Sequence, residues 1–135
     1  MNTLKLSKSV VMGLIVFASV SSIAFADKNE DRTTDKARAE VAKASADDWH
    51  TLAINAEKCF KKKVNLKEAS EWLDRSLQIA ETSFNLELKG DYYVMNNLED
   101  KAIEYYVKAV NACKDKSSLD VLKIQQKIKD IRKIG

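Results

Sequence analysis

The stretch "LELKGDYYVMNNLEDKAIEYYVKAVNAC", residues 86–113, decides the fold. Its apolar residues recur at three- and four-residue spacings on either side of Asn96-Asn97. That spacing predicts two helices, about 84–95 and 98–113, joined by a tight asparagine turn. Helices of similar length on so short a connection must run antiparallel. Small residues stand where the two rods would approach, at Gly90, Ala102 and Ala109, and large flat ones beside them, at Tyr93 and Tyr106. Small side chains set the distance between the rods, and aromatic rings fill the space alongside.

The same arrangement occurs one unit earlier. Leu52, Ala56 and Cys59 correspond to Leu86, Gly90 and Tyr93 at an offset of 34 residues, and Ala69, Leu73 and Ser76 to Ala102, Tyr106 and Ala109 at 33. Helices are predicted over about 47–62 and 66–83 around "KKVN", with Asn65 a left-handed turn residue. A final helix, about 119–133, carries Val121, Ile124, Ile128 and Ile131 on one narrow stripe, capped by Ser118, with "KIKDIRK" turned to water. The chain has no proline and three glycines, which disfavours hairpins. The expected fold is all-α: antiparallel helix pairs stacked as a short, right-handed, repeat-like array with a C-terminal capping helix.

A period near 34 belongs to helical repeats. Residues 83–114 resemble a tetratricopeptide repeat through Leu86, Gly90, Tyr93, Ala102, Tyr106 and Ala109. Residues 49–82 resemble it less closely. The family's first-helix Leu-Gly pair is here Lys89-Gly90, and its closing proline position holds Lys114. The resemblance implies a groove along the first helices of the pairs that takes a peptide or partner protein. On the second unit that face would present Phe84, Glu87, Asp91, Val94 and Met95, and on the first Lys58, Lys61 and Lys62. A lysine-lined groove suits an acidic segment or a C-terminal carboxylate.

The start of the chain reads as an export signal. "MNTLKLSKSVVMGLIVFASVSSIAFAD" has a basic head, an apolar run and an Ala24-Phe25-Ala26 cleavage pattern. The run is shorter than the ~20 residues of a spanning helix. Residues 1–26 are therefore expected to be a cleaved signal peptide, and the protein periplasmic or secreted. Removing 26 of the 135 residues leaves 109, one small domain. Removing the segment's two lysines takes the net charge from +3 to +1. So balanced a charge argues against a nucleic-acid partner. Residues 27–45 are polar and charged and read as a flexible lead, with a frayed helix as the reading of about 35–44. The repeat-like domain occupies 46–135.

No reaction is legible. His50 is the single histidine, without a second ligand at metal spacing, and reads as solvated surface. Cys59 and Cys113 lack a nearby base and read as core residues at opposite ends of the array, not as a disulfide. No catalytic, cofactor or metal site is expected. The leading expectation is an exported, non-catalytic interaction or scaffolding module. The alternative is a structural or membrane-surface protein assembling through the basic amphipathic C-terminal helix.

Overall fold

The computed structural model describes residues 28–134, and the expected signal segment lies outside them. Six helices follow one another: α1 Lys28–Lys43, α2 Trp49–Lys62, α3 Leu66–Ile79, α4 Ser83–Met95, α5 Glu99–Ala112 and α6 Leu119–Ile134. Among the described residues there is no strand. The protein is all-α, and each helix packs on the next.

The small and large positions fall where close packing needs them. Ala56, Ala69, Ala102 and Ala109 are wholly buried, as are Leu52, Leu73, Leu86 and Tyr106. A β-carbon built on Gly90 would lie 2.4 Å from Cε1 of Tyr106. The missing side chain is therefore what seats the tyrosine ring. Two clusters form the core: one under α1, α2 and α3 around Leu52, Cys59 and Trp72, the other under α4, α5 and α6 around Leu86, Tyr106 and Ile124.

Helix ends are set by specific caps. The Asp48 carboxylate accepts from the Thr51 amide at 2.9 Å and starts α2. Lys63, Asn65 and Asn97 adopt left-handed backbone, with φ of 56°, 48° and 56°. Two turns of sequence-predicted type, at Asn65 and at Asn96-Asn97, are thus present. The third helix ends sooner than its apolar spacing suggests. Ala80 is extended, and Thr82 with Asn85 forms a capping box for α4. The break is sealed by a buried polar chain. Asn85 donates to the Ser76 hydroxyl at 3.0 Å and to the Ala80 carbonyl at 2.7 Å, and Ser76 donates to the Trp49 carbonyl at 2.8 Å. Ser76 thereby ties the end of α3 to the start of α2.

The charged lead is helical from Lys28, earlier than the frayed helix expected from about residue 35. It forms α1, with Ala37 only 1% exposed against α2. Ala37, Val41 and Ala44 stand 32 residues before Ala69, Leu73 and Ser76. Three small residues are enough because α2 supplies the rest of the apolar surface. The composition of the lead alone does not show this.

Candidate functional site

Antiparallel packing leaves α2, α4 and α6 parallel on one side. Pairings at both ends establish this: His50 meets Phe84 at 6.1 Å between ring centroids, and Phe60 meets Tyr92 at 5.3 Å. Lys123 and Lys127 of α6 reach Glu87 and Asp91 of α4 in the same order. Between the three helices lies an open groove of about 710 Å³. Trp49, Phe84 and Leu88 give it an apolar floor near the starts of α2 and α4. Cys113, with the α5–α6 turn, closes one end.

The expected site residues divide between four places. Lys61, Phe84, Glu87 and Asp91 line the groove. Val94 borders a smaller hollow of about 390 Å³ in the seam between α4 and α6, with Tyr106 and Ile131. Met95 is exposed at the end of α4. Lys58 and Lys62 face a different hollow, between α1 and α2, which Lys61 also borders. The groove is therefore not lined by a lysine cluster. Its charges alternate, and Lys61 there is paired with Glu57 at 2.8 Å.

The centre of the groove holds an ion network that the sequence does not announce. Lys127 donates to Glu87 at 2.7 Å and to both oxygens of Asp91 at 2.6 and 2.8 Å. Tyr106, from α5, donates to the same Asp91 oxygen at 2.6 Å. Burial opposes the charge on Lys127, but its hydrogen bonds to Asp91 and Glu87 outweigh this and hold its pKa above the ordinary lysine value. Burial, then the hydrogen bond to Asp91, pushes the Tyr106 hydroxyl well above its ordinary value. Glu87 and Asp91 are thus engaged by α6. Lys127, read from sequence as facing water, is half-buried. The signal was the length of the lysine, which lets it reach from beside the isoleucine stripe to a carboxylate 36 residues away.

The stripe itself is buried as expected, with Val121 and Ile124 almost wholly covered. Leu119 and Leu122 stay exposed on the outer side of α6, at 83% and 55%.

His50 is exposed, packed edge-on to Trp49. Cys59 is buried, and burial raises its thiol pKa. Cys113 lies 2.9 Å from the Ser83 hydroxyl at the start of α4, whereas Cys59 adjoins Phe60, which stacks on Tyr92 nine residues further along. That separation is about 14 Å at 1.5 Å per residue, too far for a bridge. Among the described residues, no three His, Cys, Asp or Glu side chains converge on a metal position, and no helix is long and apolar enough to cross a membrane.

A second lysine is buried as well. Lys89 replaces the resembling family's leucine, yet it is buried. It donates to Asp74 at 2.6 Å and lies 4.9 Å from the centroid of the Tyr92 ring. No family model, curated protein or solved structure matches the chain.

Proposed function

We propose that this protein is an exported, non-catalytic binding module of the tetratricopeptide kind, taking a peptide or a partner-protein segment along its α2–α4–α6 face. The observation that carries this reading is the groove: a concavity of about 710 Å³ between three parallel helices, with Trp49 and Phe84 half-buried in it. Half-buried aromatic side chains in a concave site are the anchors that peptide recognition uses. The period of 33–34 residues and the coincidence of small residues with helix contacts support the repeat assignment.

The alternating charges favour a segment with an apolar anchor over a purely acidic one. Glu57, Glu87, Asp91, Asp115 and Asp120 share the groove with Lys61, Lys114, Lys123 and Lys127. An acidic segment would meet more carboxylates than lysines. The second reading, assembly or membrane binding through α6, has no comparable support, since the isoleucine stripe it requires is packed inside the fold.

The test uses Cys113 as a reporter at the edge of the groove. Peptides selected from a displayed library against the protein should slow alkylation of Cys113 and bind roughly tenfold more weakly to the Phe84→Ala protein. Selected peptides that leave the Cys113 rate and Phe84→Ala affinity unchanged bind elsewhere, and the groove reading fails.

A further inference from the structure

The hollow between α1 and α2 has a chemistry distinct from the groove. It encloses about 430 Å³ and gathers Arg32, Lys36, Lys58, Lys61 and Lys62 over Ala37. Arg32 and Lys36 stand one turn apart on α1. The three lysines occupy the last two turns of α2, where the negative end of the helix dipole favours them. Two are neutralised one to one: Lys58 by Glu40 at 2.7 Å, and Lys61 by Glu57 at 2.8 Å. Among the described residues, Arg32, Lys36 and Lys62 form no ion pair. Elsewhere, by contrast, the groove at the centre of the molecule balances its lysines with carboxylates.

We propose that this hollow is an anion site for a compact group carrying two or more phosphates, either a free small molecule or a phosphorylated headgroup. Arg32, Lys36 and Lys62, without an ion pair among the described residues, line one small hollow, so a ligand that gathers several negative charges on one compact group can meet all three at once. Clustered phosphate oxygens do this, whereas the carboxylates of an extended peptide alternate between its two faces. The Arg32 guanidinium offers the forked donor geometry that phosphate accepts, while Lys36 and Lys62 act as point charges. The site exists only because α1 packs on α2, so the lysine cluster of the sequence acquires its arginine and fourth lysine through the fold.

Calorimetric titration of the protein with inorganic tripolyphosphate tests this. Binding is expected at low salt and should weaken as salt screens it. The triple variant Arg32→Gln, Lys36→Gln, Lys62→Gln should lose roughly tenfold or more in affinity. All three side chains are exposed, so its melting curve should match the wild type. A control removing three other exposed charges, Arg75→Gln, Lys101→Gln and Lys129→Gln, should bind as the wild type does. Co-sedimentation with cardiolipin vesicles, whose headgroup carries two phosphates, separates the sources. Vesicle binding that tripolyphosphate displaces assigns a headgroup, and tripolyphosphate binding without vesicle binding assigns a free anion. The proposal is overturned by no binding to either, by equal losses in the two triple variants, by vesicle binding that tripolyphosphate does not displace, or by equally tight binding of hexaglutamate.

Discussion

The pair α2–α3 and the pair α4–α5 solve one packing problem with different side chains. At equivalent positions the first pair has Ala56 and Leu73, the second Gly90 and Tyr106. The larger partner is matched by the smaller one, and all four are buried. The rods can therefore nestle in both cases. The consequence differs at the tip of the larger side chain. Leu73 ends in methyl groups inside an apolar cluster. Tyr106 ends in a hydroxyl that reaches Asp91, where Lys127 of α6 also binds. The residue equivalent to Asp91 in the first pair is Glu57, and it pairs with Lys61 on its own helix. So at this position the first pair closes by packing, with its polar ties elsewhere, at Ser76–Trp49 and Lys58–Glu40, whereas the second is bound by charge to α6 at the matched position itself.

The largest effect should come from emptying the two matched positions. Tyr106→Ala is expected to destabilise by about 3–5 kcal/mol and Leu73→Ala by about 2–5 kcal/mol. Denaturant unfolding of both variants measures this. The comparison gives a sharper expectation: Tyr106→Ala should also loosen α6, so amide exchange there should rise, while Leu73→Ala should leave α6 protection in step with the global loss. Equal behaviour of α6 in the two variants would break the distinction.

Next in size is the interchange of the two solutions. Gly90→Ala gains helix propensity of about 1 kcal/mol, yet its β-carbon would sit 2.4 Å from the buried Tyr106 ring. Overpacking should win, with a net loss of about 1–3 kcal/mol. Adding Tyr106→Leu recreates the alanine–leucine arrangement of the first pair and should recover part of that loss. A double-mutant cycle is expected to give a coupling of about 1–3 kcal/mol. Strict additivity would show that Gly90 and Tyr106 are not matched.

How much of this was legible depended on whether the partner stood on the same pair. Gly90, Ala102, Tyr106 and Ala109 reveal their packing through spacing, because both helices of the pair lie within 30 residues. The α1 helix was legible only in part, as a frayed segment over about 35–44. Its polar composition suggested a chain unable to bury enough surface, but Ala37 and Val41 need only complete a surface that α2 provides. The break at Ala80 was hidden because Ala80 continues the apolar spacing of α3, and the box that starts α4 uses Asn85 where glutamate or glutamine is usual. Of the candidate site, the position of Phe84 and Glu87 on the first-helix face was readable. The engagement of Glu87 and Asp91 was not, since it depends on a lysine from a helix assigned by its isoleucines alone.

Alkaline pH offers a smaller, signed test of the charge tie. The pKa values of Lys127 and Tyr106 are both raised in the folded protein above their ordinary values of about 10.5 and 10. A group with a raised folded pKa contributes stability that is present below the unfolded value and lost as pH climbs toward the folded one. Stability should therefore fall as pH rises above about 10. Lys127→Met, expected to cost about 1–2 kcal/mol at neutral pH, should flatten this alkaline slope, and so should Tyr106→Phe. Melting curves from pH 8 to 11 would show it. Slopes indistinguishable from wild type would mean that the tie between α4, α5 and α6 does not contribute to stability.

The smallest expected effect lies in the two turns that close the pairs. Lys63 and Asn97 are equivalent, 34 residues apart, and both have φ of 56°. Asparagine visits left-handed backbone readily, because its short polar side chain bonds locally, whereas lysine incurs a β-carbon clash of roughly 1–2 kcal/mol there. Lys63→Asn should therefore stabilise the protein by about 0.5–1 kcal/mol, and Asn97→Lys should destabilise it by a similar amount. Neither side chain caps a helix end through a hydrogen bond of its own, so backbone strain is the difference being read. If Lys63→Asn is neutral while Asn97→Lys is costly, the first turn must relieve its strain by another route. The nearest is Asn65, which takes a second left-handed conformation two residues later and hydrogen-bonds Glu68 at 2.9 Å. Lys63→Asn in an Asn65→Ala background would then decide whether the two left-handed residues of that turn act together.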